Sequence, residues 1–540
     1  VESFVNTNGF VEMPSEQDFL REYEHLNSNN GSDRAGNWSL VGPLIAYNTS
    51  GNPTAHQSNI YCIDQAPSNP NVLYCGSETG ECYRSNDGGN SWNNVSLYNP
   101  LDGAVRSIDI HPTDPNTVYI GSGSRVYKST NGGGTWTEVL YEWQLRANEI
   151  LINPANPSIV LVAANSGVFR TINGGTDWTE LYNESGWDLK TNTGNDNTIY
   201  LLKHSDALNI CQFLRSTDAG ANFTVQSSGW FSSTDPDRND GGARLAVTDA
   251  DPNRIYAYLI GEAKAGDTGY IGLWKSTDGG TNWTLPNGPA GGPYDEDHMN
   301  LAIGTVNWQY HQGYYNCALM ASNTDADQIR LGGLNLYGSD DGGATFYPLA
   351  GYVGGPYSLH VDMQDFRNIG NTTWLTCDGG IYRSTDFFNS AGFEVRMFGI
   401  HSSDYWGFGS GWNEDVLIGG LYHNGNLSYH ENYGDGNFLQ LGGGEPASGY
   451  VNQGENRRVY SSDINGKIMP ENIGDPVQNV GFGIDPNERY WAAESTELEF
   501  DPRCYSIAYT GKDHQLWRTE DKGATFELFA EFGSDADNRI

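Results

Sequence analysis

Chemistry-bearing side chains concentrate in one stretch of this 540-residue chain. His360-Val361-Asp362 is followed by Cys377-Asp378-Gly379-Gly380, then by Gly419-Gly420-Leu421-Tyr422-His423-Asn424-Gly425, and then by Glu445. In a strand, alternation would set His360 and Asp362 on one side. If that strand is the innermost of its unit, both would face a central channel. Two carboxylates flanking a glycosidic bond support acid/base hydrolysis, which makes Asp362, Asp378 and Glu445 candidate catalytic groups. A neutral imidazole beside carboxylates would equally hold a metal or a sugar hydroxyl. The alternative is that His360 and Asp362 satisfy each other and nearby backbone in a stabilising network.

Two other segments have suitable residue types. Asp235, Asp237 and Asn239 alternate oxygen ligands as calcium prefers, although Asp240 stands where an EF-hand loop has glycine; a solvated acidic turn is the other reading. The insertion from Asn287 to Gly313 is rich in Tyr, Trp and acids, and its Trp308 and Tyr310 offer faces that suit sugar rings or peptide side chains. They would otherwise pack the loop down. Seven cysteines lack metal-ligand spacing. If Glu78-Thr79 is a two-residue hairpin loop, Cys75 and Cys82 face each other as a disulfide candidate.

The elements that must position these groups announce themselves as repeats. Ser85 to Trp92 reads SNDGGNSW, and relatives return at Ser129, Thr171, Ser216, Ser276, Ser339 and Thr519, with a degenerate copy at Ser384. In the pattern S/T-x-D/N-x-G-x-x-W/F the acid or amide bonds its own backbone, glycine takes positive φ and the aromatic closes the turn. Asp87, Asn131, Asn173, Asp218, Asp278, Asp341 and Asp521 are therefore read as structural. An Asn/Asp-Pro turn and an apolar strand precede most copies, giving four antiparallel strands in about 40 to 60 residues, the size of a propeller blade. The fold expected is all-β: a single large β-propeller of four-stranded antiparallel blades, about ten, with eight or nine as alternatives. It would occupy residues 37–540, behind a 1–36 extension with a short capped helix near Ser15 to Leu26. The Asp-box turns lie on one face of such a ring, so function is expected on the opposite face.

Composition narrows the partners. A net charge of -38 argues against nucleic acid and anionic membranes. No run of about 18 apolar residues is present, so no membrane insertion is expected. The start at Val1 without a signal peptide fits a removed leader, a trimmed chain or part of a longer protein equally.

The repeated phrase resembles the Asp-box, or BNR, repeat. With about ten units and the opening Asn37-Trp38-Ser39-Leu40-Val41-Gly42-Pro43, the chain is similar to sortilin-like ten-bladed propellers of secreted and surface proteins, many exported by the type IX route of Bacteroidetes. The order His-x-Asp, Asp-Gly-Gly-x-Tyr, Gly-Gly-x-x-x-Asn-Gly resembles a segment of those proteins, and by that resemblance His360, Asp362, Asp378, His423 and Asn424, with Glu445, form a candidate ligand pocket. Asp-boxes also occur in sialidases, but no Arg-Ile-Pro motif stands here, and Arg106, Arg146 and Arg244 are the arginines that would have to mimic their triad. In the xyloglucan-cleaving family an Asp sits in Thr-Asp-x-Gly-Gly-x-Tyr-Arg. The partial match Ser77-Glu78-Thr79-Gly80-Glu81-Cys82-Tyr83-Arg84 makes Glu78 a further catalytic candidate by that resemblance. The reading is a secreted or cell-surface module engaging a glycan or a protein segment opposite the Asp-boxes, with calcium as the candidate ion. A polysaccharide-cleaving hydrolase and a structural subunit of a surface or secretion machine are the alternatives.

Overall fold

The computed structural model describes residues 40–99, 101–230, 240–261, 270–287, 312–411, 414–446, 448–455, 457–461, 464–483, 488–489, 494–495 and 498–533. The chain divides into a unit Val1–Gly42 and a unit Pro43–Ile540, and the second is described below. The helix expected near Ser15 to Leu26 lies outside the described residues, as do Asp235, Asp237, Asn239, Trp308 and Tyr310. Among the described residues no helix is long and apolar enough to cross a membrane.

Among the described residues the unit is a β-propeller with ten sheets of blade type, antiparallel within each blade, most with four strands in sequence order. Blade one consists of Ile60–Gln65, Leu73–Ser77, Cys82–Ser85 and Asn93–Asn94. Its first two strands are wholly buried, which is why apolar and small residues run through them without alternation. Blade five has three strands, with an isolated Lys275–Thr284 bridge beyond them. Blade eight has six, because Ile45–Tyr47 pairs in parallel with its strand Asn437–Gly442, and Pro53–Thr54 follows outside.

Strand packing divides the ten blades. The innermost strands Ile60–Gln65, Val105–Ile110, Ala147–Ile152, Gly186–Asn192, Asp240–Val247, Ala318–Ala321 and Met363–Ile369 each pack on the next, and the seventh packs back on the first. Seven blades thus close a ring, and blades eight, nine and ten follow it. The expectation of one ring through all ten came from counting repeats, and a count carries no information on which first strands meet.

Carboxylates pin the ring. The innermost strands of blades one to five and seven carry a β-bulge near their start, and bulges re-aim side chains. Asp365 accepts from Ile63 N at 3.3 Å, Asp64 from Ile110 N at 2.9 Å, Asp109 from Ile152 N at 2.5 Å and Asp188 from Leu245 N at 2.7 Å, each reaching into the next blade of the series. Arg367 of blade seven reaches Glu149 of blade three at 3.2 Å, and Lys190 bonds Glu149 at 2.8 Å and Asp188 at 3.0 Å. Blades three and seven are not neighbours, so this ion network crosses the channel.

The Asp-boxes are turns, as their chemistry dictates. In blade one Ser85 Oγ donates to Asp87 at 2.8 Å, Gly89 N to Ser85 at 2.9 Å and Ser91 N to Asp87 at 2.9 Å. The degenerate turn at Ser384 keeps the bonds from Ser384 Oγ to Asp386 and from Phe388 N to Ser384, with Phe388 at φ +54° in the place of the second glycine. Asp218 makes the same set with Ser216 and Asn222. Asp218→Ala is expected to cost about 1 kcal/mol, read as a small drop in melting temperature with ligand binding unchanged.

The Cys75 and Cys82 disulfide does not form; all seven cysteines are free. Cys75 pairs in register with Tyr83, and Gly76 with Cys82. The offset of one residue turns the two thiols to opposite faces of the sheet. Cys75 packs with Met363 and Cys377, and Cys82 with Val105 and Ile108. Melting temperature should accordingly not respond to reductant.

Candidate functional site

The residues singled out around His360 meet where the ring adjoins blade eight. His360 and Asp362 lie in the connection from blade six to blade seven. Asp378 sits in the turn between the second and third strands of blade seven, Thr372–Cys377 and Gly380–Ser384. His423 and Asn424 occupy the same turn of blade eight, between Val416–Leu421 and Gly425–His430. Glu445 follows that blade's last strand. Every one of these loops is of the kind that lies opposite the Asp-boxes.

Local backbone decides the placement. His360 and Asp362 precede the first strand of blade seven, Met363–Ile369, and do not belong to it. Asp362 has φ +63° and His423 φ +64°, left-handed values that non-glycine residues adopt at a cost and that recur at functional sites. Strand alternation therefore does not place His360 and Asp362, and the channel they were expected to face holds the Arg367 network instead. Gly379 permits a close approach: a Cβ there would stand 1.9 Å from Ala55 O, and its carbonyl accepts from Gln57 N and Ser58 N. This brings His56 beside His360, ring centroids 4.7 Å apart.

Tyr315 is the hub. Its hydroxyl lies 2.9 Å from Asp378 Oδ2, 3.1 Å from His423 Nε2 and 2.6 Å from Asn59 Nδ2. Asn59 also donates to Glu78 at 2.9 Å, and Tyr61 donates to the other Glu78 oxygen at 2.6 Å. His423 Nδ1 lies 2.9 Å from Glu445 and 3.4 Å from Asp378. Gln364 donates to Asp378 Oδ1 at 2.7 Å, and Asn424 to the Asp378 carbonyl at 2.9 Å. Gln312 and Asn316 donate to Asp362, while His360 Nε2 bonds the His423 carbonyl at 2.9 Å. His360 and Asp362 are thus each satisfied elsewhere rather than by one another.

Burial and charge set the protonation. Burial raises Asp362 to about 7, against the pull of His423. Burial, then Asp362, pushes Asp378 well above the usual carboxylate range. Burial opposes the charged form of His423, but the bond to Glu445 and the charges of Asp378, Glu445 and Glu78 prevail and lift it to about 9. Burial lowers His56 to about 3, with His360 adding to the effect. Asp362, His423 and Glu445 line a cavity of about 470 Å³ together with His56, Leu359 and Val361, with Tyr352 at its rim.

Of the sequence candidates, Asp362, Asp378, His360, His423, Asn424 and Glu445 are brought together, and Glu78 joins through Asn59 and Tyr315. Arg106, Arg146 and Arg244 form no such group: Arg106 stacks on Tyr61 at 4.3 Å, and Arg244 donates to the carbonyls of Trp187 and Ala243. Among the described residues no group of three or more His, Cys, Asp and Glu side chains could hold a metal ion. Sequence reasoning missed His56, Asn59, Tyr61, Gln312, Tyr315 and Gln364. The sole hint was that Gln312 lies at the end of the insertion noted for its aromatics, with Tyr315 just beyond it.

The fold and this cavity define an Asp-box propeller with an acid-and-histidine pocket opposite its Asp-boxes. The family described as photosynthesis system II assembly factor YCF48, with BNR-type repeats, matches residues 55–348, more than half of the chain, and the chain belongs to this family. Among solved structures, an ancestral GH74 enzyme is similar at 15% identity and TM-score 0.61, over 90% of this chain and 69% of that one. The GH74 enzyme of Niastella koreensis gives 16%, 0.52, 88% and 66% for the same measures, and the GH74 xyloglucanase of Xanthomonas campestris 13%, 0.52, 88% and 80%. Identities this low establish a shared fold and nothing about activity. No curated protein matches.

Proposed function

We propose that this propeller is a binding module whose ligand, a glycan or a protein segment, enters the cavity at the junction of the ring and blade eight. The carrying observation is that polar groups in this cavity are left without partners: Glu445 Oε2 and His56 Nδ1 are buried and make no hydrogen bond. Unpaired buried polar atoms are costly, and a ligand that pairs with them recovers that cost on binding. A secreted or cell-surface setting belongs to this reading and rests on the sequence resemblance; fractionation of native cells checks it.

The test is retention of the chain on immobilised algal, plant and host glycans and on peptide arrays. Glu445→Gln and Asp362→Asn are expected to weaken retention at least tenfold while leaving the melting temperature within a few degrees. Retention unchanged in both variants would move the site elsewhere.

A second reading, glycoside hydrolysis, is favoured by Asp362 holding a proton near neutral pH in the same cavity as Glu445, the pairing of an acid with a base that such chemistry uses. Reducing ends released from the same glycans, and no longer released by Asp362→Asn, would support it.

A further inference from the structure

Among the described residues the cavity has more carboxylates than cations. Asp362 and Glu445 line it and Asp378 stands behind, whereas the described cation facing them is the imidazolium of His423. The same molecule shows what a matched set looks like. In the channel, burial also works against the Glu149 carboxylate, yet Arg367 and Lys190 hold it down at about 2. Asp362 and Asp378, lacking such partners, are pushed up instead.

Two further observations point to a ligand. His56, half-buried and kept neutral by burial and by His360, lines the cavity with its buried Nδ1 unpaired. Glu445 uses Oε1 on His423, while its Oε2 is buried and unpaired. Leu359, Val361 and the rim ring of Tyr352 form an apolar wall beside these polar ends. An apolar wall leading to an acidic end matches a flexible methylene stem tipped by a compact cation.

Resting on the reading of this cavity as the binding site, we propose that it takes the basic side chain of a protein segment. The ammonium would sit between Asp362 and Glu445, within reach of His56. The whole-chain charge of -38 would draw such a segment in. A neutral glycan supplies hydroxyl donors but no charge, and so leaves the excess of carboxylates unanswered.

Three probes test this by calorimetry at pH 7: hexalysine, its Nε-acetylated form and cellohexaose. The expected result is that hexalysine binds, that acetylation weakens it at least tenfold, and that Glu445→Gln and Asp362→Asn each do the same. Binding should also release protons, because a nearby cation lowers the pKa of Asp362, which burial raises; comparing phosphate with Tris buffer reads this. Hexalysine binding that ignores both variants and releases no proton would reflect the acidic surface alone and would overturn the inference without touching the cavity reading. Cellohexaose binding that is sensitive to the variants, without hexalysine binding, would overturn the inference and keep the cavity as the site. If no probe responds to the variants, both fail. Gln and Asn nearly preserve shape, and a matching melting temperature shows that the variants are folded.

Discussion

Arg367→Met is expected to destabilise the propeller by about 3 to 5 kcal/mol, the usual cost of removing one partner from a buried ion pair. Arg367 bonds Glu149 through both terminal nitrogens, donates to Ile63 O at 3.1 Å and lies 3.5 Å from Asp365. Without it, Glu149 keeps only Lys190, and Asp365 and Asp64 lose the charge that offsets their burial. Those groups would then take up protons, so the loss should be larger at pH 8 than at pH 5. Guanidinium denaturation at both values measures it. Adding Glu149→Gln to Arg367→Met should recover part of the loss, since the uncompensated charge is then gone. A single variant as stable as the parent would mean that the ring is held by its Asp-to-backbone bonds and apolar packing alone.

Raising the pH from 7 to 10 is expected to remove about 3 kcal/mol of stability through His423, whose pKa rises from 6.5 to about 9. A base with a raised folded pKa contributes fully below the unfolded value, here 6.5, and loses that contribution as pH climbs through the folded one. The partners that hold the proton, Asp378 of the ring and Glu445 beyond blade eight, bridge the junction, so the loss should appear first there. The measurement is stability against pH for the parent and for His423→Asn, a residue that tolerates the left-handed backbone at this position. The parent should lose stability mainly between pH 7 and 9 and the variant should not. Parallel curves would assign the alkaline loss to other groups.

Much of the architecture was legible because it is written locally. An Asp-box bonds within itself, so Ser85 to Trp92 declares a turn wherever it occurs, and even the degraded copy at Ser384 folds alike through Asp386. Repeat spacing then yields blades, with eight, nine or ten as their number. The candidate site was legible in part, since His360, Asp362, Asp378, His423, Asn424 and Glu445 are polar residues set among glycines and apolar runs, but His360 and Asp362 were expected within a strand and lie just before it. Their partners were not legible. Tyr315 and Asn59 carry no motif, and they matter only because the ring brings the approach to blade six and the start of blade one against blade seven. Cys75 and Cys82 show the same limit at small scale, since a register offset of one residue cannot be read from spacing and it sends the thiols to opposite faces.

The amino-acid sequence by itself determined that this chain is an Asp-box β-propeller of four-stranded antiparallel blades and that its turn acids bond within their own turns. Tertiary structure alone decided that seven blades close into a ring, that a buried ion network spans the channel, and that a turn of blade eight sets His423 against acids of blade seven. Those outcomes depend on which innermost strands pack together and on two left-handed residues, Asp362 and His423, which are energies of long-range contact and not of local pattern.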